Sequence, residues 1–170
     1  MDKFDTVKAT QLFRNVPDED MKKIVELCME KKFSKDEVVL EEGSVGSEIY
    51  ILSNGLVGVD VRLGEDIYRR SAYECTPGDV FGELALFGYK RSARVRVLED
   101  VTLLAIPCAE LTKLMRDTPR IGYYAMSNLS AILAERLMMA NITMQDMMSK
   151  HHQIGRDMQD MMSKPHQIGS

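Results

Sequence analysis

A chain of 170 residues with 45% hydrophobic and 28% charged side chains has the composition of a soluble globular protein of about one domain, able to bury a core without disulfide or metal staples. Its formal net charge of −4, from 22 basic and 26 acidic residues, argues against a protein whose main task is to coat DNA or RNA. No run of 18 apolar residues is present, so no transmembrane helix is expected, and Met1-Asp2-Lys3-Phe4-Asp5 lacks the apolar centre of a secretory signal.

The first 32 residues read as helical. Leu12, Phe13 and Val16 precede Pro17-Asp18-Glu19-Asp20, a helix start with proline and acids in its first turn. Met21, Ile24, Val25, Cys28 and Met29 then recur at three- and four-residue spacing and give one apolar face. From Phe33 to Ile106 the period changes to two. Short apolar runs at 38–40, 49–52, 56–61, 93–97 and 101–106 are punctuated by Gly43, Gly46, Asn54-Gly55, Gly64-Glu65-Asp66, Pro77-Gly78-Asp79 and Glu99-Asp100. Short strands with turn signals at this spacing predict a sandwich or barrel, and Asn54-Gly55 between two apolar runs predicts a hairpin.

After Pro107 the helical period returns, with a short helix over 109–117 and a longer one from about Pro119 to about residue 150. Nine of the chain's 13 methionines lie beyond residue 120. Met144 to Gly155 is repeated 14 residues later as Met158 to Gly169, with one difference, His151 against Pro165. Fourteen residues are two heptads, so the copy preserves a helical stripe through Met126, Leu133, Leu137, Ala140, Met144, Met147, Ile154, Met158 and Met161. That stripe predicts a self-associating helix and reads as packing rather than as a ligand groove. A second run, Leu129, Ile132 and Met139, is placed to face the sheet. Gly155 and Pro165 are expected to break the helix in the tail.

The segment from Gly78 to Ala93 carries the chemistry. Gly82-Glu83-Leu84-Ala85 follows a strand and reads as the opening of one helical turn, whose freed amides point outward. Ala85 is small enough to let a ligand approach. An ionised Glu83 only accepts hydrogen bonds and suits a pair of hydroxyls such as a ribose edge. Arg91 can fork onto phosphate oxygens, Ser92 adds a hydroxyl, and the amides of Ser92 and Ala93 are unobstructed. An acid, a small-residue turn and an arginine on one excursion suit a sugar phosphate.

Gly82-Glu83-Leu84-Ala85 followed by Arg91-Ser92-Ala93 resembles the phosphate-binding cassette of cyclic nucleotide-binding domains, as in catabolite activator proteins, cyclic AMP-dependent kinase regulatory subunits and cyclic nucleotide-gated channels. Glu42-Gly43-Ser44-Val45-Gly46, the Tyr50–Val57 stretch and Pro77-Gly78-Asp79-Val80-Phe81 extend the likeness, which covers about residues 12–140. Lys90 stands where many members have proline. The resemblance implies a mainly β fold with flanking helices, an eight-stranded jelly-roll barrel followed by a long C-terminal helix. Together with the composition shift after residue 120 and the internal repeat, this gives three expected parts: a ligand-binding domain with N-terminal helices over 1–120, a helix over 121–150 that pairs two chains, and a duplicated methionine-rich tail over 151–170. The resemblance also implies that Arg91, Ser92 and the Ala93 amide hold a cyclic phosphate, that Glu83 and the Gly82 amide hold the ribose 2′-hydroxyl within the Gly82–Ala85 turn that also carries Leu84, and that Val59, Ala72, Tyr73, Arg136, Ala140 and Asn141 are placed to contact the base.

The expected function is a cytoplasmic module that senses a 3′,5′-cyclic nucleotide, cyclic AMP rather than cyclic GMP, and transmits binding through a homodimeric C-terminal helix. No catalysis, cofactor, metal, membrane or direct nucleic-acid contact is expected. The three cysteines, Cys28, Cys75 and Cys108, are widely spaced and read as reduced thiols. His151, His152 and His166 are the only histidines and lie in the tail, away from any inward metal cluster, which also argues against a metal-dependent enzyme on this fold. Lys90, Arg91, Arg94 and Arg96 form a basic cluster, in which Arg94 and Arg96 read as a solvated strand face; Arg69-Arg70-Ser71 reads as strand. The alternative is a catabolite-activator-type transcription regulator without its DNA reader, since about twenty residues after position 150 cannot supply one.

Overall fold

The computed structural model describes residues 2–64 and 67–163. The elements are α1 (Lys3–Ala9), a 3-10 turn (Gln11–Phe13), α2 (Asp18–Leu27), β1 (Met29–Phe33), β2 (Val38–Leu40), β3 (Glu48–Gly64), β4 (Ile67–Cys75), β5 (Val80–Phe81), a second 3-10 turn (Glu83–Phe87), β6 (Arg94–Pro107), α3 (Cys108–Asp117) and α4 (Pro119–Ser163). They form two compact units, Met1–Leu129 and Ser130–Ser170.

The strands make one antiparallel sheet in the order β1-β6-β3-β4, with β2 added to β6 and β5 to β3. Six strands are found among the described residues, against the eight that the resemblance implies. The difference lies in β3 and β6, each of which joins two apolar runs separated in the sequence by turn residues. Asn54-Gly55 makes no hairpin: β3 continues through it opposite β6, and the pairing shifts register between Leu52 and Leu56. Glu99-Asp100 likewise stays within β6. The reason is steric. Gly55 has φ of +90°, and a Cβ there would lie 2.2 Å from the Asp100 carbonyl oxygen, so the two signals meet face to face as a bulge. Gly64 ends β3, while Glu65 and Asp66 of the third turn signal lie outside the described residues.

One face of the sheet closes over Leu52, Val57, Val59, Cys75, Phe81, Val95, Val97, Val101, Leu103 and Ala105, with the Tyr50 and Phe81 rings stacked 5.5 Å apart. Leu104 and Ile106, which alternate with these on β6, are buried too, and α3 packs against β6. The helical start ends earlier than its periodicity predicts. Met29 is 46% exposed and opens β1, because residues Met29–Phe33 pair with Val101–Ala105 and a full ladder outweighs a marginal helical turn. All three cysteines are free and buried.

The solvated face assigned to Arg94 and Arg96 is corrected by Asp60. That residue sits opposite Arg94 in the β3–β6 ladder and is 0% exposed, and its carboxylate lies 3.7 Å from Arg94 Nε and 3.5 Å from Arg96 Nε. Both arginines fold over this buried side chain and are themselves largely covered.

The first turns of α4 belong to the first unit and are tied to the N-terminal helices. Arg120 Nε donates to buried Asp20 at 2.8 Å, and Asn128 Nδ2 donates to the carbonyls of Leu12 and Arg14 at 3.1 and 2.9 Å. Burial alone would raise the Asp20 carboxyl, but hydrogen bonds from Lys23 and Arg120 outweigh it and hold the group below the ordinary carboxylate range. This contribution is therefore present through neutral pH and is lost only as acid protonates Asp20 below that range. Asn128→Ala strands two carbonyls at once, so urea titration should show a loss of about 1–2 kcal/mol.

In the second unit the helix runs past residue 150 and through Gly155 to Ser163. One glycine costs about 1 kcal/mol relative to alanine, too little to end a helix of this length. Of the second run of apolar residues, Leu129 and Ile132 are buried, whereas Met139 is 60% exposed and faces solvent. Pro165, His166 and the rest of the duplicated copy from 164 onward lie outside the described residues.

Candidate functional site

β5 is held against Tyr50 and Ile51 of β3, and the chain leaves it through Gly82, whose φ is +76°. A left-handed residue turns the backbone sharply into the 3-10 turn Glu83–Phe87, and Gly88, at φ of +75°, turns it out again. The sequence predicted one helical turn here, and the turn is of the tighter 3-10 kind. Glu83 and Ala85 are buried within it, and Gly82 and Leu84 are half-buried.

Beyond the turn, Arg91 joins the loop before β3. Its N–H donates to the Ser44 carbonyl at 2.9 Å, and its carbonyl accepts from Gly43 N–H at 2.8 Å. The side chain goes inward and is 5% exposed. Nη1 donates to the Gly82 carbonyl at 2.5 Å and Nη2 to the Glu48 carbonyl at 2.8 Å. The guanidinium thus bridges the 3-10 turn and the start of β3, and these two hydrogen bonds go to neutral acceptors. Glycine at 46 makes room for it, since a Cβ there would lie 2.1 Å from Nη2.

This guanidinium lies in the wall of a cleft of about 340 Å³ lined also by Val39, Leu40, Ser44, Val45, Gly46, Ser47, Glu48 and Tyr50. The Glu48 carboxylate accepts from Lys31 Nζ at 2.7 Å and from the Tyr50 hydroxyl at 2.7 Å. Burial would raise it, but those two donors prevail and hold it below the ordinary carboxylate range. Burial, with the neighbouring Glu48 charge, pushes the Tyr50 phenol up, so Tyr50 stays a donor. The acid near the arginine is thus already held by Lys31 and Tyr50, with the Arg91 charge adding to its stabilisation.

Of the cassette residues named from sequence, the structure joins Arg91 to Gly82 directly and sets Glu83, Leu84 and Ala85 in the turn that Gly82 opens. Ser92 is exposed and Ala93 half-buried just beyond Arg91. Val59 is 1% exposed and pairs across the ladder with Tyr73, which is 43% exposed; Ala72 is half-buried. Arg136, Ala140 and Asn141 lie in the second unit, the first half-buried and the other two exposed. Ser44, Gly46 and Tyr50 entered the sequence reading only as part of the likeness and not as site residues, and Ser47 and Glu48 were missed. The paired glycines at 43 and 46 were the signal, but nothing local says that an arginine 45 residues later fills the space above Gly46.

Residues 30–118 match the family described as the cyclic nucleotide-binding domain. The crystal structure of the Thermus thermophilus catabolite activator protein superposes with a TM-score of 0.69 at 27% identity, covering 82% of this chain and 63% of that one. A cAMP-dependent protein kinase regulatory subunit of Blastocladiella emersonii is 32% identical over 108 residues, 62% of this chain and 26% of that protein. A Bradyrhizobium diazoefficiens protein named Glutaminase 2 is 29% identical over 140 residues, 82% of this chain but only 22% of its own length. The chain thus spans about a quarter or less of these curated relatives. Among its described residues no helix is long and apolar enough to cross a membrane. The left-handed turn at Gly82, the buried arginine and the matched 89-residue span agree: this chain belongs to the cyclic nucleotide-binding domain family.

Proposed function

We propose that the chain is a cytoplasmic sensing module that binds a 3′,5′-cyclic nucleotide at Arg91, cyclic AMP in preference to cyclic GMP, and works without catalysis of its own. The observation that carries the reading is the buried guanidinium, fixed by two carbonyls and turned toward an open cleft. A cyclic phosphate supplies the anion that this charge calls for. Arg91 takes two of its oxygens, with Ser92 and the Ala93 amide beside it. Glu83 and the Gly82 amide take the ribose 2′-hydroxyl, and Ala72 and Tyr73, backed by buried Val59, offer the base a surface. The signal leaves along α4, whose first turns are latched to the N-terminal helices. The exposed apolar stripe beyond residue 130 pairs two chains as a homodimer.

Calorimetry of the purified chain against cyclic AMP, cyclic GMP and 5′-AMP tests this. Cyclic AMP should bind most tightly, and 5′-AMP weakly; equal binding of 5′-AMP would remove the cyclic-phosphate assignment. In the same titration, 2′-deoxy cyclic AMP should bind the wild type more weakly. Glu83→Ala should show a much smaller penalty for that analogue, so the double cycle carries a coupling term. A coupling near zero sinks the role of Glu83.

A further inference from the structure

The second unit carries one apolar seam from Leu133 to Met147. From Leu133 the spacing alternates four and three residues through Leu137, Ala140, Met144 and Met147. His151 takes the next place of the alternation and Ile154, one heptad after Met147, the place after it; the two-heptad length of the duplicated block then keeps Met158 and Met161 in phase. Leu137, Met144, Met147 and Ile154 are 63%, 54%, 44% and 56% exposed in the single chain. Two apolar positions per heptad form the narrow stripe that one other helix covers. The occupant it fits is a second copy of this chain in parallel: Asn141 and Gly155, which then lie across the seam from Arg136 and Lys150, carry no charge, so no like-charged pair meets there. This rests on the homodimer reading above.

We propose that Met144 and Met147 are a modification site for hydrogen peroxide, and that their oxidation locks the two chains apart. In the step, the thioether sulfur attacks one peroxide oxygen. The O–O bond breaks as the S–O bond forms, and the remaining oxygen leaves with the protons as water. The sulfur loses two electrons and the peroxide gains them, so no other reactant is needed. The product is a polar sulfoxide, which must give up hydrogen bonds to water to re-enter a dry seam. Pairing covers the seam sulfurs, so the separated chain is the substrate. Met138 and Met139, at 59% and 60% exposed and off the seam, react in either state.

The test treats the whole chain with hydrogen peroxide, maps sulfoxides by peptide mass spectrometry, and follows assembly by sedimentation velocity at tens of micromolar. Untreated protein should sediment as a dimer; a monomer overturns the homodimer reading and the lock with it. After peroxide the dissociation constant should rise about tenfold or more. Sulfoxide yield at Met144 and Met147 should fall as protein concentration rises, while that at Met138 and Met139 stays constant. A treated wild type that remains dimeric with Met144 and Met147 fully oxidised overturns the lock and leaves the dimer standing. A variant carrying Met144→Leu, Met147→Leu, Met158→Leu and Met161→Leu removes the seam sulfurs and their duplicated copies. It should stay dimeric after peroxide, although Met138 and Met139 are oxidised; dissociation of that variant on treatment overturns the assignment.

Discussion

Arg91→Ala lowers the affinity for cyclic AMP by roughly tenfold to a hundredfold, the equivalent of losing a charge-assisted hydrogen bond of about 1.5–3 kcal/mol. The same change leaves the Gly82 and Glu48 carbonyls without their donor. Unfolding must therefore be measured beside binding, and stability should fall by about 1–2 kcal/mol. Arg91→Lys separates the two roles. An ammonium reaches one acceptor and offers a point charge, so it should restore part of the affinity but not the forked geometry. Wild-type affinity in Arg91→Ala at full occupancy would place the phosphate elsewhere in the molecule.

The second large effect comes from a residue with no side chain. Gly46→Ala puts a methyl group 2.1–2.3 Å from Arg91 Nη2, Cζ and Nε, a distance that no contact tolerates. Gly46 does not need a left-handed backbone, so alanine fits the loop and the guanidinium must leave. The expected result is a folded protein whose cyclic AMP affinity falls as far as that of Arg91→Ala. Gly43→Ala is the control. Gly43 has φ of +77° and open space around it, so alanine there strains the same loop without touching the arginine. Calorimetry should find Gly43→Ala less stable but near wild type in affinity. Equal losses in the two variants would mean that loop strain, rather than displacement of Arg91, controls binding.

Much of this architecture was legible in the sequence because it is local. Gly82 to Ala93 presents its acid, small residues and arginine within a dozen positions, and α3 and α4 announce themselves by their period. What escaped is set by partners distant along the chain. Asn54-Gly55 reads as a hairpin only while Asp100 is unknown; once β6 lies alongside, the glycine is consumed by a bulge. Met29 fits a helical face as well as a strand edge, and the ladder to Ala105 decides it. Arg94 and Arg96 look solvated because an alternating strand says nothing of Asp60, 34 and 36 residues earlier in the chain. The cleft shows the same limit: its glycine and its guanidinium are 45 residues apart, and each is unremarkable alone.

The buried Asp60 also bears on how the chain avoids wrong folds. The apolar alternation of Val57, Val59 and Val61 against Val95 and Val97 would be satisfied equally well if β3 slid two residues along β6, with every valine still facing inward. Hydrophobicity therefore cannot choose between the two alignments. Charge can. Sliding one way moves Asp60 from Arg94 to Arg96 and sets Arg62 directly across from Arg94, cation against cation. Sliding the other way leaves Asp60 facing Ser92 and without a guanidinium opposite it. In the native alignment one acid lies against both arginines. Three polar residues on the side of the sheet opposite these valines thus act as a proofreading key, rejecting mispaired chains that the valines would accept.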